Sequence, residues 1–128
     1  MCPYIEVFDM PAALRFYRDI LGFTITQSAG DGDDADWVLL QLDDSYLMLN
    51  TAYEKEFRPA QPDPARFKGH QDTAFFFNCP DTDAMYYYLN SKGLGVSPPF
   101  ITGYGWKAIS LADPDGYSIW FHWPDGQQ

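Results

Sequence analysis

The chain has 128 residues, of which 46% are hydrophobic and 18% aromatic, which suffices for one domain with a packed core and gives no basis for global disorder. Its formal net charge of −10, from 18 acidic against 8 basic residues, repels phosphate backbones and anionic lipid. Nucleic-acid and membrane partners are therefore not expected.

The opening residues "MCPYIEVFDM" hold no basic region followed by an apolar run, and no stretch approaches the roughly 18 apolar residues of a spanning helix. The expected compartment is the cytoplasm. Cys2 and Cys79 lie far apart without CxxC or Cys/His spacing, so reduced thiols are expected in place of a disulfide or zinc knuckle.

In chain order, "PYIEVF" predicts a short strand, and Asp9 is a suitable N-cap for a helix over "MPAALRFYRDIL", with Pro11 in its first turn and Gly22 at its end. Ala13, Leu14, Phe16, Tyr17, Ile20 and Leu21 follow the spacing of one buried helix face. Strands follow at "FTITQSA", "DWVLLQL" after the loop "GDGDDA", and "YLMLNTA". The segment "YEKEFRPAQPDPARFKGH", with three prolines, mixed charge and little periodicity, reads as a connector and not an element. The pattern then restarts: strand "DTAFFFN", helix "PDTDAMYYYLNSKG", and strands near "GVSPPF", "WKAISLA" and "YSIWFHW". Both halves read βαβββ.

An offset of about 71 relates the halves: "ALRFYRDILGF" from Ala13 falls on "AMYYYLNSKGL" from Ala84, Gly22 on Gly93 and Tyr46 on Tyr117. The expected organisation is one domain over 1–128, with module one at about 1–52, a connector at about 53–69 and module two at about 70–125.

A strand followed by "DMPAALRFYRDILGF", with a second half closing on "DPDGYSIWF", resembles the vicinal oxygen chelate superfamily, which includes glyoxalase I, bleomycin resistance proteins and extradiol dioxygenases. The likeness runs from Tyr4 to Pro124. It implies an α+β fold, two βαβββ modules curling into a cupped, incomplete barrel around a ligand cleft, and pairing as a homodimer. In metal-dependent members, four ligands from the first and last strand of each module hold a divalent ion against two substrate oxygens. The matching positions here are Trp120, its repeat mate Leu49 by the offset, Cys2, and either Ala74 or, with a bulge, Asp72. Indole and isobutyl groups offer a metal no lone pair, so neither the usual metal nor any other cofactor is expected.

Other polar candidates are few. Strand alternation would set His70, Asp72 and Ala74 on one face with Trp120, making His70 and Asp72 a remaining acid–base or ligand pair, against a capping or surface role for His70. Alternation groups His122 with Ser118 and Trp120, and Glu6 with Cys2, Tyr4 and Phe8; Glu6 looks either into the cleft or to solvent. "GYGWK", Gly103 to Lys107, offers Tyr104 and Trp106 beside glycines, suited to a mobile lip or to an ordinary strand entry. Of the three tyrosines at Tyr86 to Tyr88 at least one should be exposed, because successive helical residues diverge. The loop "GDGDDAD" lacks calcium-loop spacing, and no phosphate-binding glycine loop, GxSxG or CxxC is present.

The expected function is metal-free binding of a small apolar or aromatic organic molecule in a cleft lined by Trp120, Trp106, Tyr104, Leu49 and Tyr4, with Glu6, His70, Asp72 and His122 as the polar candidates. The competing expectation is a metal-dependent lyase, isomerase or dioxygenase with a non-standard ligand set drawn from His70, Asp72, Glu6 or His122. Whether any reaction is catalysed stays open at this point.

Overall fold

The computed structural model describes residues 1–126. The chain divides into two compact units, Met1–Pro64 and Ala65–Gln128, each built on its own four-stranded open sheet.

In the first unit, β1 (Tyr4–Val7) leads into a helix, α1 (Met10–Leu14), continued by wider π-type turns over Arg15–Ile20. β2 (Thr24–Ala29), β3 (Trp37–Leu42) and β4 (Ser45–Thr51) follow, and the sheet order is β1-β4-β3-β2. The pair β1/β4 is parallel, because a helix intervenes between them, and the other pairs are antiparallel. The second unit repeats this plan with β5 (Ala74–Asn78), α3 (Thr82–Ser91), β6 (Phe100–Ile101), β7 (Trp106–Ala112) and β8 (Ser118–Pro124), ordered β5-β8-β7-β6 with β5/β8 parallel. The βαβββ duplication expected from the sequence is thus present in both connectivity and strand order.

The helix starts obey their local chemistry. The Asp9 carboxylate accepts from the Ala12 N–H at 3.2 Å, and the Asp81 carboxylate from the Ala84 N–H at 2.9 Å. Each satisfies a backbone donor that the helix itself cannot. Gly22 and Gly93 end the helical segments at φ +92 and +80, a region open to glycine and strained for other residues.

The offset between halves varies along the chain. The helix caps Asp9 and Asp81 differ by 72, whereas Gly22 and Gly93 differ by 71. The first helical segment therefore holds one residue more than the second, and the widened turns absorb it: the Leu21 N–H reaches back five residues to the Phe16 carbonyl at 3.0 Å. Neighbours Phe16 and Tyr17 both turn inward, edge to face at 4.9 Å, while Tyr87 and Tyr88 in the second helix stay exposed. Ile20 and Leu21, expected in the core, are only half-buried.

Two expectations are corrected. The segment read as a connector contains a helix, α2 (Pro64–His70), and a short 3-10 turn at Lys55–Phe57. Its prolines stand before or at the start of α2, where a missing N–H costs little, and it lies against the turn that precedes β8, described below. The strand expected from Asp72 begins at Ala74.

Candidate functional site

The signature "DPDGY" builds a turn. The buried Asp113 carboxylate accepts from the N–H groups of Asp115 and Tyr117, both at 2.9 Å, and Gly116 takes φ +92. The turn feeds β8, whose alternation sets Ile119 and Phe121 on the buried face and Ser118, Trp120 and His122 on the other.

On that second face an aromatic surface assembles within the second unit. Phe76 on β5 lies opposite Trp120 in register, and the rings stack at 5.1 Å between centroids with planes 18° apart. Phe100 meets Trp120 edge-on at 5.7 Å. His122 is walled by Trp106 at 4.4 Å, Phe76 at 4.9 Å and Tyr104 at 6.3 Å, and its Nδ1 lies 3.4 Å from the Tyr104 hydroxyl. Burial pushes the His122 imidazole below its ordinary 6.5, because an apolar wall disfavours the cation. Phe76, Phe100 and Tyr104 remain 48%, 44% and 57% exposed, so the face is open.

Tyr104 is presented by a hydrogen-bonded turn between β6 and β7. The Trp106 N–H donates to Thr102 Oγ1 at 3.0 Å, the Thr102 N–H to the Trp106 carbonyl at 2.8 Å, and Gly105 adopts φ +86. Of the two readings of "GYGWK", the ordinary strand entry describes this turn.

Trp120, Trp106, Tyr104 and His122 therefore come together, whereas His70 and Asp72 do not join them. His70 ends α2 and stacks on Tyr117 at 4.1 Å with planes 10° apart, on the side of β8 away from Trp120. Its Nδ1 lies 2.7 Å from the Asp115 carbonyl, which can only accept, so that nitrogen carries the proton. Asp72 is exposed in the turn between α2 and β5. The expected strand face shared by His70 and Asp72 fails because residues 70–72 are helix end and turn.

The first-unit candidates divide by face. Tyr4 and Glu6 on β1 alternate with buried Ile5 and Val7; Tyr4 is exposed and Glu6 partly so. Leu49 is fully buried, in register with buried Ile5 and Val38. Its placement as the mate of Trp120 is corrected: Leu49 lies on the buried face of its sheet, as Ile119 and Phe121 do of theirs, whereas Trp120 lies on the opposite face. Phe76 and Phe100 were not singled out in the sequence. The period of two in "AFFFN" carries the signal for Phe76, since only its central ring shares a face with Ala74 and Asn78.

A shallow polar depression in the first unit is lined by Asp31, Asp34, Asp36, Glu54, Lys55 and Glu56. Arg58, hydrogen-bonded to Asp34 at 2.8 Å, holds that carboxyl below its usual range. Among the described residues no group of three or more His, Cys, Asp or Glu is placed to hold a metal ion, and no helix is long and apolar enough to cross a membrane.

Residues 4–121 match the family model of the Glyoxalase/Bleomycin resistance protein/Dioxygenase superfamily. The chain belongs to this superfamily. Solved structures similar in fold include TioX from Micromonospora sp. ML1, at 13% identity and TM-score 0.72 over 95% of each chain. A lactoylglutathione lyase from Agrobacterium tumefaciens is 18% identical, TM-score 0.69, over 95% of this chain and 90% of that one. A bleomycin-binding protein complexed with bleomycin is 20% identical, TM-score 0.69, over 98% of each chain. At these identities the likeness is one of fold. No curated protein matches the chain in sequence.

Proposed function

We propose that this superfamily member binds a small, planar, largely apolar organic molecule on the open aromatic face of β5, β7 and β8, without a metal. The observation that carries the reading is the Phe76–Trp120 stack, half-exposed and bordered by Phe100, Trp106 and His122. Large aromatic rings left open to water cost free energy that a stacked ligand recovers, and few polar groups stand among them. A superfamily neighbour complexed with bleomycin supports the same class of role. The donor chemistry supports the metal-free part: the implied ligand position on β8 holds Trp120, those on the first strands hold Cys2 and either Ala74 or Asp72, and Leu49 is buried on the core face. That set does not fit a divalent ion that wants oxygen and imidazole donors.

The test is titration with a panel of planar aromatic compounds, bleomycin among them, followed by tryptophan fluorescence and melting temperature. Binding should quench or shift the emission and raise the melting temperature, and Trp120→Leu should remove both responses. A panel without effect, or turnover that appears only with added divalent metal, would sink the reading.

A further inference from the structure

The aromatic face carries one polar group with a direction. His122 is the only titratable side chain on the β8 face of Trp120. It faces Asn78 across β5 and Ala108 across β7, with no ionisable group at either register position. Its Nδ1 is engaged by Tyr104 at 3.4 Å, and its Nε2 makes no hydrogen bond with the described residues. A phenol is a good donor and a neutral imidazole nitrogen a good acceptor, so the Tyr104 O–H is assigned as donor to Nδ1. The imidazole proton then sits on Nε2. Rings on three sides, Phe76, Trp106 and Tyr104, restrain the imidazole against turning over.

We propose that His122, set in this tautomer by Tyr104, presents an Nε2–H donor beside the Phe76–Trp120 stack, so that the site selects planar aromatic molecules bearing a hydrogen-bond acceptor, such as an aryl ketone, over the bare hydrocarbon. The proposal rests on the aromatic face being the binding surface. His122 is the residue that touches the ligand, and Tyr104 is a positioning residue acting through it. A polar group that loses its partner in an apolar site costs more than the hydrogen bond gains in water, which is why one donor among rings can discriminate.

The experiment compares two probes of equal shape, methyl naphthyl ketone and isopropenylnaphthalene, on the full chain by fluorescence titration. The ketone should bind about three- to tenfold more tightly, the size of one net hydrogen bond. In His122→Phe the two should bind within about twofold of each other, and in Tyr104→Phe the ratio should fall between. Equal affinities in the unmodified protein overturn this proposal while leaving the binding face standing. Failure of both probes to bind removes the binding face and the proposal with it. A ratio in Tyr104→Phe equal to that of the unmodified protein overturns the role of Tyr104. The comparison in the unmodified protein decides the matter even if a variant does not fold.

Discussion

Gly116 sits against the backbone of Phe67 so closely that a β-carbon there would overlap the Phe67 carbonyl group. The segment between the halves is therefore pinned, as α2, onto the turn that opens β8, and the His70–Tyr117 stack holds the same junction. Glycine is required at Gly116 for two separable reasons, the positive φ and the contact.

Gly116→Ala should cost at least about 2 kcal/mol, since the left-handed backbone alone costs roughly 1–2 kcal/mol and the clash adds to it. Gly93→Ala supplies the control: φ is +80 there, but nothing lies within 4 Å of the added carbon. Urea denaturation of both variants checks the point, and equal losses would mean that α2 does not press on the turn.

Trp120→Ala should cost about 1–2 kcal/mol, short of the roughly 3–5 kcal/mol of a closed core site, because the indole touches Phe76 and Phe100 on an open face. Trp120→Phe should lose less than half of that. A loss for Trp120→Ala in the core range would show that the face is filled and not available to a ligand.

Local signals made much of this architecture legible. Alternation in "WKAISLA" and "YSIWFHW" marks real strands, and Asp9, the cap expected for the first helix, does cap it. The helix α2 was not legible, because its own sequence carries no periodicity and the residues it lies against come some 50 positions later. Leu49 was assigned the wrong face for a related reason. A gapless match of the helices hides the extra residue in the widened turns after Leu14, and one residue of slip in a strand moves every side chain to the other side.

Asp81→Ala should destabilise by about 1 kcal/mol, since the Ala84 N–H loses its acceptor, and Asp81→Asn should restore most of the loss. Denaturation midpoints measured with an unchanged slope would confirm a stability effect. If Asp81→Asn were as unstable as Asp81→Ala, charge and not capping would be at work.

The pH dependence follows from His122, whose folded pKa lies below 6.5 because burial disfavours its cation. Between the folded and unfolded values the unfolded chain binds more protons, so stability rises with pH there. The contribution is complete above 6.5 and is lost as pH falls through the folded value. Asp34, lowered by its hydrogen bond to Arg58, follows the same sign but only below 3.8. Melting temperatures from pH 8 to 4 should therefore show an early decline, absent in His122→Phe, before the carboxylate-driven loss. Identical profiles for the two proteins would contradict the assignment.

The inward turn of Phe16 and Tyr17 has a dynamic consequence. With Met10, Leu14, Phe23 and the β3 and β4 side chains, it gives the first unit a thick apolar centre. In the second unit the helix buries only Thr82 and Leu89, and its tyrosines lie outside or at the margin. Local opening is governed by how much apolar surface each segment must expose, so the amides of β5 to β8 should exchange with solvent deuterium sooner than those of β1 to β4. The half that carries the aromatic face is then the half with protection left to gain, and occupancy of that face would register as slowed exchange along β5 and β8 rather than as a change of shape.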